Sequence, residues 1–127
     1  MHLVPAERRQ HRMIEAERVC DAIGSLPPPD ETERWAERFT MLGDRHRLAL
    51  LICIAEGGPI SVTDLAAATG MEDARVSQIL RLLRGAGLVA PERQGRVVRY
   101  ALADDELRAV LPRGPARRGH RHPARSP

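Results

Sequence analysis

The sequence predicts a mainly α-helical domain with a β-hairpin wing, in which a helix-turn-helix precedes the hairpin. Three observations predict it. Apolar residues recur at helical spacing through most of residues 6–111. Two of these helical segments meet at "ATGMED", around Gly70, with almost no linker between them. Finally, "LVAPE" and "RVVRYAL" are β-prone runs separated only by "RQG".

Residues 6–24, "AERRQHRMIEAERVCDAIG", carry Met13, Ala16, Cys20 and Ile23 on one stripe, which predicts a single helix. "SLPPPD" stops it, because proline supplies no backbone donor. Asp30 is placed to cap the next helix, with Glu33 completing a capping box. That helix brings Trp35, Phe39 and Leu42 to one face and ends at Gly43. Asp44 caps a third, "RHRLALLICIAEG", apolar nearly all round and therefore expected at the buried centre. "GGP" breaks it at Gly57–Pro59.

A short Ala-rich helix follows, with Ser61 and Asp64 as its cap signal and Gly70 suited to a left-handed end. The next helix runs to about Gly85, and the hairpin and a short helix, "DDELRAVL", complete the order. The expected organisation is an N-terminal helix and Pro-rich linker at 1–29, a folded domain at 30–111, and a disordered Arg/His-rich tail at 112–127.

The chain has 127 residues and a net charge of +3. All of its basic residues are Arg, and they are unevenly placed. Residues 71–102 hold six Arg against Glu72, Asp73 and Glu92, and residues 113–127 hold five Arg, two His and no acid. Basic zones on an otherwise acidic chain point to an anionic partner met at defined places. The longest apolar run, "LALLICIA", is too short to cross a bilayer, and no apolar leader opens the chain. A cytoplasmic protein with no membrane partner is therefore expected. Cys20 and Cys53 make no disulfide framework.

The helix of residues 74–86 suggests the partner. Val76, Ile79, Leu80, Leu82, Leu83 and Ala86 take one side of a helical wheel; Ala74, Ser77, Gln78, Arg81 and Arg84 take the other, with no acid. A solvated face usually mixes Glu with Arg. Here, instead, Gln78 can read adenine in a major groove, Ser77 can meet a base edge, and Arg81 and Arg84 can hold phosphate or guanine. Arg75 at the start of this helix, and Thr63 in the helix before it, are further candidate contacts.

A helix-turn-helix places its second helix in the groove. The hairpin then brings Arg93, Gln94 and Arg96 to a wing that can lie along phosphates, with Gly95 allowing the tight turn. One recognition helix reads few base pairs, so specificity calls for two chains on an inverted repeat of double-stranded DNA. Glu72 and Asp73 suit a helix start but stand where phosphates would approach. The rival reading is a winged module that binds an acidic protein partner instead of DNA. An enzyme is not expected: no nucleophile motif, phosphate loop or zinc-ligand spacing is present.

With these residues in hand, "LGDRHRLALL", "VTDLAAATGM", "VSQILRLLRGAGLV" and "QGRVVRYAL" resemble, in order and spacing, the ArsR/SmtB family of winged helix-turn-helix regulators, most of all its actinobacterial nickel- and cobalt-sensing branch. The resemblance covers about residues 41–111. It implies a homodimer bound to a promoter, usually as a repressor relieved by a metal or another inducer. It also implies dimerisation through the first and last helices; with the last one short here, Met13, Cys20, Ile23, Trp35 and Phe39 become the candidate dimer residues.

The sensing positions depart from the family. Ser61 and Thr63 stand where one branch has thiolates, which removes that soft-metal site. In another branch's site, Asp104 matches an Asp and His120 a His, but Glu106 and Arg117 replace the other two histidines. Pro112 and Pro115 also interrupt the helix that would carry them. No metal site is therefore assigned. Asp104, Glu106, His120 and His122 are weak candidates for nickel or another divalent ion, no cofactor is required, and a partner protein is the expected route for any effector sensing.

Overall fold

A computed structural model of the chain describes residues 4–115. After a 3-10 turn (Ala6–Arg8) come α1 (Ala16–Gly24), α2 (Pro29–Leu42), α3 (Arg45–Gly57), β1 (Ile60–Ser61), α4 (Val62–Thr69), α5 (Asp73–Gly85), β2 (Val89–Gln94), β3 (Val97–Leu102) and α6 (Glu106–Val110). The described residues divide into two compact units between Glu37 and Arg38, inside α2. The tail from residue 116 onward, with Arg117, His120 and His122, lies outside the described residues.

In the first unit the expected helix over 6–24 is not continuous. Met13 precedes α1 on non-helical backbone, so the stripe keeps only Ala16, Cys20 and Ile23. Residues 6–12 carry no large apolar side chain. A helix there would have no face to bury, and short helices do not persist without one. The start of α2 also differs from expectation. Pro29 takes the first helical position, where its missing N–H has no intrahelical role. The Pro28 carbonyl accepts from the N–H of Glu31 and Thr32, both at 3.0 Å. Asp30 therefore lies inside the first turn, near the positive end of the helix dipole, and does not cap it.

The second unit is built on α3. Asp44 caps it as expected, accepting from the backbone N–H of His46 and Arg47 at 3.0 Å each. Leu50, Leu51, Ile54 and Ala55 are buried, whereas Leu48, Ala49, Ile52 and Cys53 are half-buried, so α3 is covered on one side rather than all round. Burial pushes the Cys53 thiol pKa up. Leu65 of α4, Val76, Leu80 and Leu83 of α5, and Leu88, Val89 and Leu107 complete the core. Each fully buried aliphatic side chain contributes about 1.5–3 kcal/mol by leaving water.

The three strands form an antiparallel sheet in the order β1-β3-β2. Its hairpin register runs from Val89 opposite Leu102 to Gln94 opposite Val97. Only Gly95 and Arg96 remain in the loop, and Gly95 has φ 64°, as a two-residue hairpin turn with glycine first requires. Pro91 sits in β2, an edge strand, where its absent donor breaks no ladder bond to a further strand. β1 had no sequence signal because two residues, Ile60 opposite Tyr100 and Ser61 opposite Arg99, are too few for periodicity.

Candidate nucleic-acid interface

The helix-turn-helix follows from local chemistry. Ser61 Oγ accepts from the N–H of Asp64 at 3.2 Å and starts α4. Gly70 ends it with φ 77°, a left-handed conformation that a side chain would strain. Thr69 Oγ1 donates to the Leu65 carbonyl at 2.7 Å. Two residues later α5 begins, and it buries Val76, Ile79, Leu80 and Leu83 against the core.

That burial fixes what α5 offers outward. Ala74, Arg75, Gln78, Arg81 and Arg84 are exposed and Ser77 is half-buried; Thr63 on α4 is exposed as well. Leu82 and Ala86 do not join the buried side. Leu82 is 52% exposed, because it lies one turn beyond Gln78 and shares its flank of the helix. Ala86 is exposed beyond the last helical residue. Leu82 thus adds an apolar surface beside Gln78 of the kind that suits a thymine methyl.

On this flank a groove of about 480 Å³ runs between the start of α3 and α5, lined by Asp44, Arg47, Arg75, Gln78, Ile79, Arg81 and Leu82. Arg47 Nε donates to the Met41 carbonyl at 2.8 Å. Arg75 Nη2 stands 3.2 Å from His46 Nδ1. The backbone N–H groups of Arg47 and His46, together with the nearby charge of Arg47, hold the Asp44 carboxyl below the usual carboxylate range. Glu72, the residue before α5, makes no side-chain cap and lines a shallower surface with Ala74, Arg75, Gln78 and Arg81. An acid therefore does stand at the N-terminal edge of the otherwise acid-free face.

The wing exposes Arg93, Gln94 and Arg96. Arg99, half-buried on the central strand, donates from Nη1 to Gln94 Oε1 at 2.8 Å and fixes the orientation of that amide. The sequence reading omitted Arg99, although its position two residues beyond Val97 puts it on the same face of β3. His46, Arg47 and Leu82 were also missed as surface of this site. Only Leu82 had a usable signal, its four-residue spacing from Gln78.

Arg38 and Leu42 take the buried side of α2, and Phe39, expected beside Leu42, is 54% exposed. Arg38 Nη2 donates to Asp104 Oδ2 at 3.0 Å, and Nη1 stands 3.6 Å from Glu106 Oε1. The two described candidate ligands thus hold a guanidinium between them, and this donor set does not fit a divalent metal unless Arg38 leaves. Among the described residues, no three His, Cys, Asp or Glu side chains gather as a metal would need. Cys20 is buried, and Met13, Ile23 and Trp35 are half-buried. No helix among the described residues is long and apolar enough to cross a membrane.

Comparison with known proteins agrees with this geometry. A MarR family model matches residues 42–97, from the end of α2 to the wing. A regulator of the helix-turn-helix type from Mycobacterium tuberculosis, NmtR, is 42% identical over 60% of this chain and 62% of its own length. The SmtB homologue of Synechocystis, a transcriptional repressor by name, is 36% identical over 75% of this chain and 71% of its own. The chain therefore spans less than two thirds of the first relative and somewhat more of the second. Among solved structures, a homodimeric winged helix-turn-helix DNA-binding domain from Mycobacterium bovis, described as a possible ArsR-family regulator, aligns with TM-score 0.58 at 26% identity, over 68% of this chain and 82% of that one.

Proposed function

Since the chain belongs to the ArsR/SmtB family of winged-helix DNA-binding transcriptional regulators, we propose that it acts as a homodimeric repressor that recognises an imperfect inverted repeat in double-stranded DNA. The observation that carries this reading is the exposed face of α5. Gln78, an amide able to pair two ways with adenine, stands there among Arg75, Arg81 and Arg84 over a core that holds the helix rigid. Gln78 supplies sequence readout, the α5 arginines and the wing residues Arg93 and Arg96 supply phosphate contacts, and Leu82 offers an apolar patch to a base edge. Two chains bring two such helices to successive major-groove faces. The acidic-partner reading finds no support in the names of the relatives.

In this proposal the isolated chain binds nickel and other divalent metals weakly. Asp104 and Glu106 already neutralise Arg38, and carboxylates alone suit harder ions. Any metal signal then reaches the regulator through a partner protein. Selection of binding sites from a random duplex pool tests the DNA reading. It should enrich an imperfect inverted repeat with half-sites about one helical turn apart; a pool that stays random after repeated rounds would refute it.

A further inference from the structure

We propose that His46 and Arg75 form a clamp for a DNA phosphate beside the recognition helix, and that its grip tightens as the pH falls. This rests on the DNA-binding reading above and adds to it a site at the start of α3 with its own regulation. Arg75 Nη2 lies 3.2 Å from His46 Nδ1. A guanidinium only donates, so a hydrogen bond at this distance has Nδ1 as its acceptor. Arg75 keeps its remaining N–H donors for another acceptor. The pair borders the groove that holds Arg47, Gln78 and Arg81, so an anion entering it meets guanidinium groups from both α3 and α5.

The acid in that groove lies close to the charges of Arg47 and His46. Asp44 is engaged with its own helix, Oδ2 accepting from the backbone N–H of both His46 and Arg47. The other charged groups are Arg45 and Arg47 beside His46 in the chain, Glu72 and Asp73 just before Arg75 in the chain, and Arg81 about one and a half turns along α5. A phosphate oxygen brought between His46 and Arg75 changes what His46 prefers. Without the anion, protonating His46 breaks the bond from Arg75 and sets two cations side by side. With the anion, both cations donate to it.

Phosphate and proton therefore bind cooperatively, each raising the affinity for the other. Duplex affinity is therefore expected to rise as the pH falls. Histidine is the side chain whose charge ordinarily changes between about pH 5 and pH 8.

The test is fluorescence anisotropy of the full chain on a labelled random-sequence duplex, at about pH 6 and about pH 8 with ionic strength fixed. Random DNA is chosen because phosphate contacts carry no sequence information. The wild type should bind about threefold or more tightly at the lower pH. His46→Gln should remove most of that gradient. Arg75→Gln should weaken binding at both values and also flatten the gradient, because without Arg75 the free protein no longer disfavours the protonated imidazole. Thermal melts of each variant establish folding, and His46→Asn provides a second reading of the same position. A full wild-type gradient in both His46 variants, or no gradient in the wild type, would overturn the clamp and leave the regulator reading intact. Absence of any duplex binding by the wild type at low salt would overturn both.

Discussion

The guanidinium of Arg38 meets the carboxylate of Asp104 at 3.0 Å, joining the end of α2 to the start of α6, and its second nitrogen faces Glu106 at 3.6 Å. Arg38 is 8% exposed. A charge this deep persists only where a partner compensates its lost hydration. The pair therefore does two things at once: it fixes α6 on the core, and it occupies the carboxylates that would otherwise be candidate metal ligands.

Arg38→Met should destabilise the fold by about 1–3 kcal/mol in urea unfolding, since it keeps most of the apolar stem and removes the ion pair. The loss should depend on pH. The backbone N–H of Glu106 and the Arg38 side chain hold the Asp104 carboxyl below its ordinary range. A depressed folded pKa gives stability that is present above the unfolded value, about 4 for Asp, and lost as the pH falls through the folded one. Wild type and variant should thus converge on acidification. A gap between them that stays constant from neutral pH to about pH 3 would refute the pairing.

Titration of DNA binding with nickel, cobalt and zinc should change the affinity of the full chain less than tenfold. A version ending at Leu111 should give the same metal response, with modestly weaker DNA binding from lost Arg charge. A tenfold or greater effect abolished by the truncation or by His120→Ala would assign sensing to the tail.

Phe39 is 54% exposed on α2, and in the proposed homodimer it belongs to the interface. Phe39→Ser should raise the dimer dissociation constant at least about tenfold in sedimentation equilibrium, in line with loss of one aromatic anchor. Unchanged association would move the dimer surface away from α2.

Much of this fold was legible because its punctuation is local. Asp44 and Ser61 as caps, Gly70 as a left-handed stop and Gly95 at the hairpin tip each act through the few residues beside them. What was not legible depended on distant partners. Arg38 looks like any surface charge in "ETERWAERFTML" until Asp104 and Glu106, far along the chain, are brought to it. β1 exists only because β3 offers an edge to its two residues. Within the candidate site, Gln78 and Arg81 were readable from spacing along one helix. The pairing of Arg75 with His46, 29 residues away, and of Arg99 with Gln94 across the wing, required the fold.

The wing makes a separate prediction. Gln94 takes its orientation from Arg99, so Arg99→Ala should weaken binding to specific and random duplex alike, as expected where the wing lies along phosphates. A loss confined to the specific site would place the wing on base edges instead.

In the proposed complex α5 reads bases through Gln78 and holds phosphates through its arginines. This is tested most directly by measuring affinity for the selected inverted repeat and for random duplex, with the wild type, Gln78→Ala and Arg81→Ala. Gln78→Ala should lose about 1–3 kcal/mol on the repeat and little on random DNA, so the specificity ratio collapses. Arg81→Ala should weaken both equally and leave the ratio unchanged. If Gln78→Ala lowers affinity by the same factor on every sequence, α5 does not lie in the groove as described.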